Sequence, residues 1–290
     1  MPDFMQFVFA GLTTGSIYAL AALGFTLIYN ASGVINFAQG DFLMLGGMIA
    51  AAMLGMGISL PLAIVSALVI TTLAGVLLYQ SAIRLAGENN VVSLIIITIG
   101  ASTFIEGVIQ VVLGKNQFRL PSFSGDTSLR VLGAYVLPQS FWVMGVAAAL
   151  VTACALFFRF TLIGKALLAV AANRMAAQAV GINSSAILRL AFGLSALIGA
   201  IAGVVAAPIT TTSYDLGLML GMKGFVAATL GSLGSGVGAV LGGLLVGLLE
   251  ALVAGYISSA YKDAVPFVLI IFVLLLLPNG LLGRKSTERV

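Results

Sequence analysis

Long apolar stretches separated by short polar connectors recur along the whole sequence, and they limit its possible folds more than any other feature. The apolar windows cover residues 6–29, 41–56, 60–83, 91–113, 141–158, 186–208, 223–230, 237–255 and 265–282. A hydrocarbon core of about 30 Å requires about 20 apolar residues for each helical crossing, and roughly seven or eight windows approach that length. We therefore predict an all-α, polytopic transmembrane helix bundle of about eight spans.

The composition supports this class and excludes several others. Hydrophobic residues make up 61% of the 290 residues and charged residues 8%, whereas a soluble domain is about half apolar and about a quarter charged. We expect a single transmembrane domain over residues 1–290. There is no histidine, and the one cysteine, Cys154, lies inside an apolar run. This inventory predicts no enzyme activity, no catalytic residues and no metal site. The formal net charge of +4 suggests no nucleic-acid partner.

The stretch 217–236 departs from the pattern of long apolar windows. Window 223–230 is too short for a standard span, and glycines recur at positions 217, 221, 224, 231, 234 and 236. Irregular backbone at membrane depth is tolerated where protein or a water-filled cavity covers it. We predict a short re-entrant or discontinuous helix in this stretch.

Basic residues in the connectors indicate how the chain is oriented. Connectors predicted to face the cytoplasm hold the eight bases Arg84, Arg159, Lys165, Arg174, Arg189, Arg284, Lys285 and Arg289. The opposing connectors hold the five bases Lys115, Arg119, Arg130, Lys223 and Lys262. Because basic residues accumulate on the cytoplasmic side, this bias predicts an outside N-terminus and a cytoplasmic C-terminus.

Two connectors are long enough to be more than turns. We predict that residues 114–138 form an external loop that contacts a partner outside the membrane. Residues 160–185 are moderately apolar but contain Lys165, Arg174 and Gln178. We predict a helix that lies outside the bilayer here, the alternative being an interfacial helix that only covers the bundle.

An acid within the fourth apolar window is a candidate for the transport pathway. Glu106 has Ser102, Thr103 and Gln110 at helical offsets, which places one polar stripe on an otherwise apolar helix. Such a stripe must face protein or water. It either lines a pathway or forms an interhelical hydrogen bond that locks the bundle.

A second intramembrane acid follows a pair of glycines on its own helix. Gly243, Gly247 and Glu250 are spaced four and three residues apart, so they share one helix face. Small residues at this spacing allow helix backbones to approach closely. Glu250 is therefore predicted to face inward, again as a pathway group or as a lock.

Three amide residues and a glycine also recur every three positions in the break between the first two windows. Asn30, Gly33, Asn36 and Gln39 follow this spacing, and Asp41 comes near the start of the next helix. A helix start favours an acid there. The break is either a turn or half-helix that exposes amides to a substrate, or a plain cytoplasmic turn with an N-cap.

The chain has no phosphate-binding loop of its own. Gly164 and Lys165 are followed by Ala166 and lack the upstream glycine that the G-x-x-x-x-G-K-[ST] motif requires. We therefore expect no cofactor on this chain. If ATP drives it, another chain performs the hydrolysis.

Several motifs, in the same order along the chain, resemble the branched-chain amino acid permease family of bacterial ABC importers, and in particular its LivH-like half. They are GLTTGSIYALAALGFTLIY at 11–29, GVINFAQGDFLMLGG at 33–47, GKALLAVAANRMAAQAVGIN at 164–183 and LPNGLLG at 277–283. Three positions depart from the family pattern: Gln39 and Asp41 stand in place of His and Glu, and Asn173 in place of an acid.

The resemblance implies a permease subunit that carries branched-chain or related hydrophobic amino acids across the bacterial cytoplasmic (inner) membrane. Its implied partners are a second homologous permease, two ABC ATPase subunits that hydrolyse ATP, an external solute-binding protein and membrane lipid. Related permeases carry urea or short amides, so this solute class stays open. The different-class alternative is a stand-alone channel or secondary transporter, with Glu106 or Glu250 as its ion or proton site.

The resemblance and the polar residues together give two sets of candidate site residues. The candidates for the translocation pathway are Asn36, Gln39, Asp41, Glu106, Gln110 and Glu250. The candidates for ATPase coupling, within residues 160–185, are Gly164, Lys165, Asn173, Arg174, Gln178 and Gly181.

Overall fold

A computed structural model describes residues 2–86, 91–276 and 280–282, and almost all regular structure in them is helical. The α-helices are α1 (Pro2–Ser32), α2 (Gln39–Gly55), α3 (Leu60–Leu78), α4 (Arg84–Ala86), α5 (Val91–Leu113), α6 (Pro138–Phe160), α7 (Leu162–Ala172), α8 (Arg174–Ala179), α9 (Ser184–Ala206), α10 (Leu216–Gly231), α11 (Gly236–Tyr256) and α12 (Val265–Leu276). A π-helical turn (Tyr79–Ile83) joins α3 to α4, and a 3-10 turn (Ser259–Ala264) precedes α12. Strands β1 (Leu129–Val131) and β2 (Ala134–Val136) form an antiparallel hairpin.

Seven helical segments of the described chain are long and apolar enough to cross a membrane. They are Phe4–Ser32, Leu60–Ala86, Val92–Leu113, Pro138–Phe160, Ser184–Ala206, Gly236–Tyr256 and Ser259–Leu276. Three shorter apolar helices, α2, α7 and α10, accompany them. The prediction of an all-α polytopic bundle is confirmed.

Close contact between glycine-bearing helices forms the centre of the bundle. A Cβ atom added to Gly243 of α11 would lie 2.5 Å from the Cα atom of Ala19 in α1. One added to Gly247 would overlap the backbone of Gly15. The two backbones therefore touch, as the small-residue spacing predicts. Helix α9 packs in the same way on α2, where a Cβ atom on Gly203 would overlap the carbonyl of Leu43.

The long connector between α5 and α6 lies at the same end of the bundle as the start of α1. Gln6 exchanges two hydrogen bonds with the Tyr135 backbone, at 2.7 and 2.8 Å. Phe118 pairs with Thr212 in an isolated bridge. Helix α6 crosses the bundle from Pro138 to Phe160, so the following segment lies at the opposite end. Residues 114–138 and 160–185 therefore lie at opposite ends of the bundle, and which end faces the cytoplasm stays a prediction. Of the orientation bases, Arg284, Lys285 and Arg289 lie outside the described residues.

The segment 160–185 is not one helix but two short ones. Asn173 separates them, with an extended backbone and an Oδ1 atom that accepts a hydrogen bond from Ala176 N at 3.0 Å. Thr161 caps α7 in the same manner, accepting from Gly164 N at 2.9 Å. An amide in this capping position starts a new helix instead of continuing the old one. The prediction of a single helix over 160–185 is corrected accordingly.

Helix α10 is continuous despite its glycines. It runs without interruption through Gly217, Gly221 and Gly224, and the break follows it, at Ser232, whose φ angle is 92°. The glycines are contact points: Gly221 lies against Gly40 of α2 and Gly224 against Ala21 of α1. Packing therefore stabilises a helix that glycine content alone disfavours. Of the two predicted forms, the structure shows a short helix that is continuous, and the break lies after it.

We expect Gly247→Ala to destabilise the fold, although alanine is the better helix former. The added methyl group forces α1 and α11 apart, and overpacking of this kind costs about 1–3 kcal/mol. Gly145→Ala is the matched control, because a Cβ atom at Gly145 meets nothing within 4 Å. The measurement is thermal unfolding of the detergent-solubilised protein. A Gly247→Ala melting temperature equal to that of Gly145→Ala would contradict the packing.

Candidate functional site

Helix α2 begins inside the bundle and not at its surface. Its first residue, Gln39, contacts Gly24, which lies about two turns before the end of α1. The same side chain contacts Ser195, near the middle of α9. The chain after α1 therefore folds back into the bundle before α2 starts, which a plain surface turn would not do. Discontinuous helices of this kind accompany substrate sites in membrane transporters.

Two of the amides predicted for the pathway are fully buried at this helix start. The Gln39 amide nitrogen donates to the Ser195 carbonyl at 3.3 Å, and its oxygen lies 2.5 Å from the Ser195 hydroxyl. That hydroxyl also lies 2.9 Å from the Gly24 carbonyl, so it donates to one of the two at a time. Gln39 therefore ties α1, α2 and α9 together. Asn36 Oδ1 accepts from Ala38 N at 3.2 Å, whereas its amide nitrogen has no partner.

Asp41, in the first turn of α2, is buried without a hydrogen-bond partner. The residue is 1% exposed, and neither carboxylate oxygen makes a hydrogen bond. Gly217, at the start of α10, packs directly against the carboxylate, so any side chain there would overlap it. Ser102 is close enough to act on the carboxyl group but forms no hydrogen bond of regular geometry with it, and Glu106 is close enough to interact with it electrostatically. Helices α2, α5 and α10 meet at this carboxylate.

The polar stripe of α5 is only partly directed inward. Ser102 is buried, Glu106 and Gln110 are half-buried, and Thr103 is exposed. The Thr103 hydroxyl donates to the carbonyl one turn earlier at 3.2 Å. Glu106 interacts electrostatically with Asp215, the residue just before α10. We call the group formed by Asp41, Ser102, Glu106 and Asp215 the acidic junction.

Glu250 lies elsewhere, in a second polar cluster that contains Lys223. The Lys223 ammonium group lies 2.6 Å from Glu250 Oε1 and 2.6 Å from Asp263 Oδ1, and 3.1 Å from the Tyr18 hydroxyl. The Tyr18 hydroxyl donates to Glu250 Oε2 at 2.8 Å. The side chains of Lys223 and Glu250 are 5% and 7% exposed. This ion-pair cluster joins α1, α10, α11 and the 3-10 turn.

Placing Lys223 in an outer connector was wrong, because the residue lies in the middle of α10. A lone lysine in an apolar helix resembles a helix end when hydropathy is the only guide. Its burial is possible because two carboxylates and a hydroxyl replace the lost water. Glu250 faces inward as predicted, and its pairing favours the interhelical lock. The sequence signal for this cluster was a lysine and a glutamate in neighbouring apolar segments.

The candidate coupling residues differ in how accessible they are. Gly164 is buried against Phe157 and Phe158, and the structure gives it a packing role. Asn173 is exposed, and its side chain caps the start of α8. Arg174 is half-buried. Lys165, Gln178 and Gly181 are exposed, the last with a φ angle of 89°.

Two apolar side chains beside these residues were missed in the sequence. Met175 and Val180, in and just after α8, are 80% and 78% exposed. Exposed apolar side chains of this kind are available for contact with lipid or with another protein. Hydropathy alone could not separate them from buried neighbours such as Ala177.

The fold and the acidic junction define a polytopic membrane protein that encloses a polar site between its helices. A family profile described as the permease component of a branched-chain amino acid transport system matches residues 7–274. The chain belongs to this permease family. It is 36% identical to the high-affinity branched-chain amino acid transport system permease protein LivH of Escherichia coli (strain K12), over 99% of this chain and 98% of that protein.

Two further proteins extend the comparison. The corresponding permease protein BraD of Pseudomonas aeruginosa is 34% identical, with the whole of both chains covered. A chain in the solved structure of PsaBC from Streptococcus pneumoniae in complex with Fab has a TM-score of 0.52 at 17% identity, over 95% of this chain and 92% of that one. The last likeness concerns the fold alone.

We expect Lys223→Met to destabilise the protein by about 3–5 kcal/mol, because Glu250 then keeps a buried charge with no counter-ion. Adding Glu250→Leu should recover most of the loss, since replacing a buried ion pair by apolar groups is often neutral. Lys115→Met, at an exposed position, is the control and should change stability by less than about 0.5 kcal/mol. Thermal unfolding measures all three. Equal melting of Lys223→Met and Lys115→Met would refute the cluster.

Proposed function

We propose that this chain is the translocating permease subunit of an ABC importer for branched-chain or related hydrophobic amino acids. It acts in the bacterial cytoplasmic membrane, with its N-terminus outside and its C-terminus in the cytoplasm. Membership of the permease family supports the class. The observation that carries the proposal is the start of α2 inside the bundle, where Asp41 has no partner. A purely structural helix has no need of such a group.

The two ends of the bundle have different tasks in this proposal. The segment 160–185 presents α8 to an ATPase subunit, with Arg174, Met175 and Gln178 as contacts. The connector 114–138, with its β hairpin, meets a binding protein loaded with solute. ATP binding closes the two ATPases, and the coupling segment transmits that motion to the helices. A second homologous permease completes the pathway.

Two other functions are compatible with a fold of this kind. A permease for urea or short amides would use the same fold, but a neutral solute has no need of an unpaired carboxylate. A stand-alone channel or secondary transporter would use Glu106 or Asp41 as an ion or proton site. Pairing of Glu250 with Lys223 makes Glu250 a poor choice for that role.

The direct test is uptake by proteoliposomes that contain the permeases and ATPases, with the binding protein outside. Radiolabelled leucine should enter only when ATP is hydrolysed, and urea and acetamide should not enter. Uptake of urea in place of leucine would select the amide permease. Leucine uptake by the permease chain without any ATPase would select the stand-alone transporter.

We expect Arg174→Glu to reduce ATP-driven uptake by at least about tenfold, because a reversed charge at a protein contact typically costs more than 1.4 kcal/mol. Arg159→Glu is the matched control. It lies at the same end of the bundle, exposed in the last turn of α6 and outside the coupling segment. The measurements are copurification of the ATPase and initial uptake rate. Unchanged uptake and copurification for Arg174→Glu would remove the coupling assignment.

A further inference from the structure

Two of the shorter apolar helices, α2 and α10, both begin at the acidic junction. A Cβ atom on Gly40 of α2 would overlap the Gly217 carbonyl and lie 2.7 Å from the Gly221 Cα atom of α10. No side chain caps the first turn of either helix. The first N–H groups of a helix carry partial positive charge, which favours an ionised carboxylate beside them. Gly217, in the first turn of α10, packs against the Asp41 carboxylate.

The Asp41 carboxylate lacks the partners that buried charges normally have. Buried polar groups in proteins are nearly always hydrogen-bonded, and an exception calls for a missing partner. None of Asp41, Glu106 and Asp215 forms an ion pair with a base among the described residues. Within the part of the chain that the structure describes, the bundle's buried lysine is already engaged by Glu250 and Asp263. The junction is therefore an acidic site without an internal cation.

We propose that the acidic junction binds the ammonium group of the transported amino acid, with Asp41 as its principal ligand. Glu106 and Asp215, at the less buried edge, attract the cation, and the Ser102 hydroxyl is a further polar partner. This inference rests on the proposed function and names the part of the solute that the chain recognises. An ammonium group supplies the hydrogen-bond donors that both Asp41 oxygens lack.

The site makes a chemical distinction between the candidate solutes. Amino acids carry a cationic ammonium group at neutral pH, whereas urea and short amides carry none. A charge-assisted hydrogen bond in a water-poor site is worth considerably more than a neutral one. The junction therefore favours binding of amino acids over binding of urea or amides. The apolar helix faces around it would accommodate the aliphatic side chain of the solute.

The test is leucine uptake by the complete assembly in proteoliposomes, comparing Asp41→Asn with Asp41→Glu. Asparagine is the better match in size but lacks the charge, and glutamate keeps the charge in a longer side chain. We expect Asp41→Asn to lower initial uptake by at least about tenfold, the worth of one charge-assisted contact. Asp41→Glu should retain the larger share of activity. If Asp41 only caps α10 or fills space, the order reverses, and the inference is overturned.

A second variant keeps the test decisive if Asp41 substitutions prevent assembly, which copurification with the ATPase shows. The double variant Glu106→Gln and Asp215→Asn removes charge from the more exposed edge and should reduce uptake by roughly threefold to tenfold. Uptake within about twofold of the unsubstituted assembly overturns the inference. Failure of the proposed function looks different, because the unsubstituted assembly would then take up no leucine with ATP.

Discussion

Hydrocarbon offers polar side chains no hydrogen bonds, so each polar group within the bundle needs a partner from the protein or from a cavity. Two clusters meet this constraint in opposite ways. Lys223 is enclosed by Glu250, Asp263 and Tyr18, so its charge is fully engaged. Asp41 is equally buried, yet its carboxylate is left without a partner. The first cluster accordingly joins helices through an ion pair, and we propose the second as the place where a solute is recognised.

Glycine contacts make both clusters possible. Gly243 and Gly247 bring α11 against α1, which places Glu250 beside Tyr18. Gly217 and Gly221 let the start of α10 rest on the start of α2, which exposes a helix terminus to Asp41. A larger residue at any of these positions would separate the helices before their polar groups could meet.

Hydropathy predicted most of the fold, because crossing a bilayer requires long apolar helices and leaves few alternatives. The same reasoning failed for Lys223, which looked like the end of a helix until its carboxylate partners on other helices were known. Hydropathy also failed at Asn173, because its side chain caps a new helix and so divides the segment 160–185 into two helices. At the candidate site, the sequence indicated Asp41 and Glu106 separately. Their meeting with Asp215 depends on tertiary packing, which no local pattern records.

The central claim is that the acidic junction lies on the path that the solute takes from the aqueous phase during transport. With Cys154→Ser as background, the most direct measurement is the reaction of Glu106→Cys with a membrane-impermeant thiosulfonate in the assembled transporter. Leu73→Cys, exposed on the apolar face of α3, serves for comparison. We predict that Glu106→Cys reacts, at a rate that changes when ATP binds, while Leu73→Cys reacts only with a lipid-soluble maleimide. If Glu106→Cys also reacts only with the lipid-soluble reagent, the junction faces lipid and the account is contradicted.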